Sequence, residues 1–442
     1  MRLIPKRMSS FQIIIVGFIL LILIGAFLLM LPIASNTPNG ASFEDALFTA
    51  TSASCVTGLV VQDTGTYWTG FGHFIILFLI QIGGLGVVTI AVSIAYLSGK
   101  SIGLKQRSTL QDAVSAQQVG GIIKLTKFIL ILTFGTELLG TILLAPSFCK
   151  EFGFFTGLWY SLFHSVSAFC NAGFDLMGVK ATFSSLTCYV SNPFVNSVIM
   201  LLIVIGGLGF LTWEDIVTHK FKLKRYRMQS KVIITVTLLL ISLPALYFYF
   251  CEFNHENGST RVLSSLFQSV TARTAGFNTV DLSALSETGF VLMITLMIIG
   301  GSPGSTAGGL KTTTFAVLVS TVFSVFKRKE HTVFFGRRIH DDAVKSASTL
   351  LVMYLFLFLV SGTIISKIEG LPLMSCLFET ASAVGTVGVT VGITPELGII
   401  SRMILIALMF LGRVGGLTLI YAATSGRKSV SSKLPQEKIT IG

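Results

Sequence analysis

Hydrophobic positions in this chain come in long unbroken runs, not in the one-sided stripe of a soluble helix. Residues 11–33, 71–97, 122–146, 194–217, 231–251, 290–326, 343–366 and 401–424 each read as one such run. About 20 apolar residues carry a helix across the hydrocarbon of a bilayer, so the pattern predicts eight spanning helices. Within each pair of runs lies a shorter apolar segment, at 43–53, 155–168, 261–271 and 371–383. About eleven helical residues cover roughly 17 Å, near half the hydrocarbon thickness. These segments cannot span, and the pattern predicts four re-entrant hairpins.

The short segments share a phrase. Leu47-Phe48 leads to Gly58, Leu162-Phe163 to Gly173, Leu266-Phe267 to Gly276 and Leu377-Phe378 to Gly388. In each copy Ser or Thr followed by Ala falls four and five residues after the Phe. The copies recur every 103 to 115 residues, and a fixed period marks one structural unit built several times. The expected fold is all-α integral membrane, with four parallel repeats of long helix, short helix, long helix around one pore. The repeats divide the chain at 1–110, 111–225, 226–335 and 336–442.

Composition agrees with lipid as the solvent. The chain of 442 residues is 52% hydrophobic and 12% charged, with a mean hydropathy of +0.81. Soluble domains carry about 25% charged residues. The basic flank at the N-terminus resembles that of a signal peptide, but the run 11–33 exceeds an h-region of about 7–15 residues and reads as the first spanning helix. The net charge of +12 is a topology signal, because 24 of the 32 Lys and Arg fall in the N-terminal segment, in 100–127, 220–231 and 327–345, and at 427–438. By the positive-inside rule these face the cytoplasm, with both termini inside the cell membrane. No nucleic-acid partner is implied. The six Cys have no metal-ligand spacing and the six His fall in no ligand pattern. With no Ser/His/Asp constellation at a shared depth, an enzyme is not expected, nor any cofactor in this chain.

Irregular backbone at membrane depth is tolerated only inside protein or against a water-filled cavity. Four such segments buried together make a pore lining. A cation sheds its water only if other oxygens replace it, which rings of backbone carbonyls do, and glycine permits the angles that aim them. The expected filter is Val56, Thr57 and Gly58; Asn171, Ala172 and Gly173; Thr274, Ala275 and Gly276; Thr386, Val387 and Gly388. The short helices point partly negative C-termini at the membrane centre, favouring a cation there. Asp63, Asp175, Asp281, Glu287 and Glu396 follow the glycines in outer loops and add to the attraction. No carboxylate lies in the filter segments, which disfavours a hard divalent ion.

The second long run of repeat 3 is interrupted by Gly300, Gly301, Ser302, Pro303, Gly304, Ser305, Thr306, Ala307, Gly308 and Gly309. Pro and clustered Gly break helices, so this stretch is expected to open as a loop below the filter. It is no phosphate-binding loop, since Leu310 separates Gly309 from Lys311. Charged residues at membrane depth are costly and usually functional. Arg273 is expected to brace the filter against Glu379. Lys311 either snorkels inward or belongs to the loop, and Glu137 reads as a structural acid.

Several stretches are similar to one known family: CVTGLVVQDTGT (55–66), IQIGGLGVVT (80–89), FCNAGF (169–174), TARTAGFNTVD (271–281), ETASAVGTVGVTVGITPE (379–396) and LGRVGG (411–416). The whole chain resembles the membrane subunit of the Trk/Ktr/HKT superfamily of potassium transporters, closest to the KtrB type. The resemblance implies a four-repeat pore with one key glycine per repeat and K+ uptake, coupled in some members to Na+. It makes 300–309 an intramembrane gate, with Lys311 beside it and Arg413 opposing cation passage from below. Members with Ser at the first filter glycine lean towards Na+, and Gly58 therefore favours K+. The resemblance further implies a homodimer on a cytosolic nucleotide-binding ring of KtrA/KtrC type, with the tail Lys438–Gly442 at the dimer interface. A Na+-conducting member of the superfamily and a secondary transporter of another solute are the alternatives.

Overall fold

Four times along the chain a long helix, a short helix and a broken helix follow one another. Repeat 1 holds α1 (Ser10–Leu29), α2 (Phe43–Ser54), α3 (Gly70–Leu85) and α4 (Val87–Leu97). Repeat 2 holds α5 (Ile122–Phe152), α6 (Phe154–Phe169), α7 (Pro193–Gly207) and α8 (Phe210–His219). Repeat 3 holds α9 (Met228–Tyr247), α10 (Gly258–Thr271), α11 (Glu287–Ile298) and α12 (Thr312–Phe326). Repeat 4 holds α13 (Asp341–Glu369), α14 (Leu373–Gly385) and α15 (Ile399–Val414). The computed structural model describes residues 9–97, 108–112, 121–220, 222–416 and 418. The tail Lys438–Gly442 and most of the basic segments 100–127 and 427–438 lie outside the described residues. The one sheet among the described residues is a small hairpin, Val333–Phe334 against Arg337–Arg338.

The long helices α1, α5, α9 and α13 are long and apolar enough to cross a membrane. Their apolar residues run all round, the mark of a helix buried or set in lipid, and Leu20, Phe27, Ile131, Phe134 and Phe356 stand exposed on outer faces. Chemistry at the helix ends sets their limits. Ser9 Oγ accepts from the backbone N–H of Gln12, and the Gln12 side chain accepts from that of Ser9, a reciprocal cap that opens α1.

Each short helix packs on the long helix that precedes it and on a helix of the repeat before. Thus α3 packs on α6, α7 on α10, α11 on α14, and α15 returns to α2. The ring of four is closed. At the closing seam Arg402 Nη1 donates to Asp45 Oδ1 at 3.1 Å, while the same guanidinium holds the carbonyls of Leu397 and Pro395. The phenylalanine of each repeated phrase (Phe48, Phe163, Phe267, Phe378) is 0% exposed. Two residues further on, hydroxyls pin three short helices to their long partners. Ser165 donates to Glu137 O at 2.7 Å, Ser269 to Ile241 O at 2.6 Å, and Thr380 to Phe358 O at 3.2 Å. Repeat 1 has Ala50 at this position and no such pin.

The second runs of repeats 1, 2 and 4 differ from the expected straight helices. The α3–α4 pair bends by 95° and the α7–α8 pair by 98°. The breaks fall at Gly86, Gly209 and Gly415, with φ of +86°, +90° and +84° and ψ near 137° in each. That region of backbone space is open essentially to glycine alone. Conversely, the helix expected to end at Pro146 runs on to Phe152. Proline removes one backbone hydrogen bond, and near a helix end the remaining bonds carry the element past it.

Gly86 offers a clean test, because a Cβ there would meet nothing nearer than Thr89 Oγ1 at 3.9 Å. Gly86→Ala is therefore charged with backbone strain alone, about 1–3 kcal/mol. It should lower the melting temperature of the detergent-purified protein, and an unchanged midpoint would mean that the bend relaxes freely.

Candidate functional site

Where the short helices end, the backbone turns back on itself in one shape four times. The residue two before each key glycine takes a left-handed conformation: Val56 (φ +56°), Asn171 (+59°), Thr274 (+71°) and Thr386 (+51°). The glycines themselves follow at +92°, +70°, +86° and +96°, while the residues between them are not left-handed. Alternating hand along a strand turns successive carbonyls to the same side, as it does amides in an anion nest. For Val56, Thr274 and Thr386, which are β-branched, this shape is strained. It persists because the surroundings over-determine it.

Those surroundings are hydrogen bonds from the short helices. Thr57 N donates to Ser52 O at 2.8 Å, Ala172 N to Ser167 O at 2.7 Å, Ala275 N to Thr271 O at 3.0 Å and Val387 N to Ser382 O at 2.8 Å. The Ser or Thr of the repeated phrase thus anchors the turn in all four copies. Sequence reasoning used that residue only as a marker of the repeat; its fixed distance from the Phe was the available signal. The residue just after the Phe was read only in repeat 4, where Glu379 was given another partner. His164 Nε2 accepts from Leu176 N at 3.4 Å, and Glu379 accepts from Thr394 Oγ1 at 2.7 Å, Val391 N at 3.2 Å and Thr390. These side chains tie down the loops that leave the glycines.

The four glycines stand against one another in chain order. A Cβ on Gly58 would lie 3.1 Å from Gly173 Cα, one on Gly173 2.7 Å from Gly276 Cα, one on Gly276 3.4 Å from Gly388 Cα, and one on Gly388 2.9 Å from Gly58 Cα. Any side chain would collide with the neighbouring repeat. The segments predicted from sequence are therefore brought together, each flanked by the next.

Residues 300–309 form a loop on the inner side of this ring. The chain leaves α11 at Ile299 and re-enters α12 after Lys311, with Gly300 N donating to Leu310 O at 2.7 Å across the loop's neck. Its backbone is tied to other repeats: Ser302 N to Gly207 O at 3.1 Å, Thr306 N to Gly206 O at 3.3 Å, Phe210 N to Gly304 O at 2.8 Å, and Gly309 N to Gly412 O at 3.3 Å. It also touches the inner tips of the short helices. Thr306 Oγ1 donates to Phe169 O at 3.0 Å, and a Cβ on Gly308 would run into Thr386.

Two cations hold the loop's carbonyls. Lys311 Nζ donates to Ala307 O at 2.8 Å and more weakly to Gly308 O at 3.4 Å, so it belongs to the loop and does not snorkel. The Arg413 guanidinium donates to Thr306 O, to Gly83 O and, at 3.0 Å, to Gly84 O, bridging repeats 4, 3 and 1. Both residues line a cavity of about 260 Å³ beneath the loop, with Gly304, Val88 and Asp112.

The expected brace between Arg273 and Glu379 does not form. Glu379 spends both oxygens on its own repeat's loop, as above. Arg273 is 7% exposed with Nε unpartnered, and it lines a small cavity with Asn171, Thr237 and Gly301. Glu137 is buried on α5, where it accepts from Gln81 at 3.3 Å and contacts Cys170 at 3.8 Å, a structural setting. Of the outer acids, Asp63 accepts from Thr66 N and Phe183 N, Asp175 from Met177 N and Asp281 from Ser283 N. They cap the loops that carry them. Among the described residues no group of three or more His, Cys, Asp or Glu is placed to hold a metal ion.

Four like repeats that bring their re-entrant turns to one central ring define a pore-loop membrane protein. The chain belongs to the TrkH family, described as cation transport proteins, whose profile matches residues 3–433. It is 40% identical over 451 residues to the potassium/sodium uptake protein NtpJ of Enterococcus hirae, covering 99% of this chain and 98% of that protein. It is also 40% identical over 442 residues to the Ktr system potassium uptake protein B of Bacillus subtilis, covering 99% and 97%. With the Ktr system potassium uptake protein B of Vibrio alginolyticus it shares 35% over 438 residues, covering 98% and 94%. Its fold matches the crystal structure of the potassium transporter TrkH from Vibrio parahaemolyticus with a TM-score of 0.74 at 20% identity, over 96% of this chain and 87% of that one.

Gly388→Ala puts a methyl group onto the backbone of Thr57 and Gly58 at a φ of +96°. The variant should reach the membrane in normal amount and lose cation uptake by at least about tenfold, the scale of one to two kcal/mol of strain at the ring. Uptake at the wild-type rate would remove Gly388 from the ion path.

Proposed function

We propose that this chain is the ion-translocating subunit of a K+ uptake system of Ktr type. The observation that carries the reading is the closed ring of Gly58, Gly173, Gly276 and Gly388 at the ends of four half-length helices. In this reading the twelve residues from Val56–Gly58, Asn171–Gly173, Thr274–Gly276 and Thr386–Gly388 are the selectivity filter, and their carbonyls replace the water that K+ sheds. The relatives named for potassium uptake support K+ as the ion. One of them is named for potassium and sodium uptake, in keeping with Na+ as a second ion of the system.

The loop 300–309, with Lys311 and Arg413, is the gate. Its backbone lies against the ring, and the Arg413 guanidinium there repels a cation arriving from below. Opening requires the loop to leave its carbonyl partners on Gly206, Gly207 and Gly412 and the amide of Phe210. The chain works in the cytoplasmic membrane with both termini inside, as a homodimer docked on a nucleotide-binding ring. The basic connectors at 220–231 and 327–345 are the docking surface. Support for the ring comes from the Ktr naming of the relatives and from the charge of those connectors.

Expressed with a cognate regulator in a host lacking K+ transport, the wild-type chain should restore growth at limiting K+. Gly58→Ser should shift the K+/Na+ preference of uptake towards Na+. Membrane insertion without rescue would defeat the assignment. Shortening the 300–309 loop should raise flux through the same filter, and an unchanged flux would count against gating.

A further inference from the structure

The four hydroxyls that follow the Phe by four residues are all 0% exposed, yet they do two different things. In repeats 1 and 4 the hydroxyl accepts from the key glycine: Gly58 N donates to Ser52 Oγ at 3.1 Å, and Gly388 N to Ser382 Oγ at 3.0 Å. In repeats 2 and 3 the hydroxyl donates beyond the glycine. Ser167 Oγ reaches Phe174 O at 2.7 Å, and Thr271 Oγ1 reaches Phe277 O at 2.5 Å. The residue after the glycine differs accordingly, being Leu59 and Val389 in the first pair and Phe in the second.

A carbonyl that accepts a hydroxyl from the helix behind it is drawn towards that helix and away from the ring's axis. A glycine amide that donates to a hydroxyl behind it is held with its plane fixed, while the carbonyl that follows stays free of this tie. We propose that Ser52, Ser167, Thr271 and Ser382 are positioning residues that set the outer oxygens of the filter two against two. The carbonyls of Leu59 and Val389 remain available to the ion, and those of Phe174 and Phe277 are withheld. Repeats 1 and 4 are neighbours across the closing seam, so the available oxygens lie on one side of the ring. Fourfold sequence repetition thus yields a lopsided outer site. The inference rests on the reading of the ring as a K+ filter.

Its test is K+ uptake by the full chain in the transport-deficient host, with apparent affinity, maximal rate and Na+ competition measured at matched membrane abundance. Ser167→Ala and Thr271→Val release a carbonyl. They should tighten apparent K+ affinity by about three- to tenfold, the worth of one hydrogen bond, and lower the maximal rate. Ser52→Ala and Ser382→Ala free a glycine peptide and should weaken discrimination against Na+ by a similar factor without tightening K+. Ser382→Thr and Thr271→Ser, which keep the hydroxyl, should behave as wild type. Where an alanine or valine variant fails to insert, cysteine at that position is measured in its place. The same shift in all four variants, or no shift in affinity and discrimination, overturns the two-against-two arrangement. Absence of K+ uptake by the wild type overturns the functional reading beneath it.

Discussion

Backbone that leaves the helical path inside a bilayer has no water to bind, so every freed amide and carbonyl must find its partner within the protein. This constraint organises the molecule. Four times the chain dips halfway, unwinds and returns, and four times the partners come from the same places. The last turn of the short helix takes the amide before the glycine, and a buried hydroxyl takes a group at or just beyond it. The closed packing of short helices against the neighbouring repeats keeps lipid from the rest. Left-handed valine and threonine survive at the turns only because the cage around them leaves no relaxed alternative.

The loop of repeat 3 obeys the same rule with more partners. Its amides reach carbonyls at Gly206, Gly207 and Gly412, and its own carbonyls are taken by Phe210 N, Lys311 and Arg413. These contacts fall at or beside the bends of the broken helices in the other repeats. A shift of the half-helix α8 is therefore felt by the loop through a direct bond from Phe210, its first residue, to Gly304 O. Lys311 and Arg413 are half-buried basic side chains, and the partners they hold among the described residues are backbone oxygens.

Much of this was legible in the sequence, because lipid leaves few options. Long apolar runs, half-length segments and a phrase repeated at near-constant spacing fixed the class of fold and brought the right glycines together. The bends were not read, although Gly83-Gly84-Leu85-Gly86 and Gly206-Gly207-Leu208-Gly209 repeat in register. Hydropathy is blind to a turn of the backbone when both arms are apolar. Pro146 misled in the opposite direction, since the packing of α5 on the short helix α6 carries the element past the one bond that proline removes. The pairing of Arg273 with Glu379 was an argument from opposite charge, and it failed on reach: Glu379 sits where the loop of its own repeat descends and is used up there. Which carbonyls Arg413 and Lys311 hold depends on how three repeats meet, which no local pattern records.

The seam between Asp45 and Arg402 has a bearing on biogenesis. The short helix of the first repeat enters the membrane early and lacks one flank until some 357 residues more have been made. A chain stalled or cleaved before the last repeat has three sides of a tube and no fourth. Only the finished polypeptide closes the ring of four.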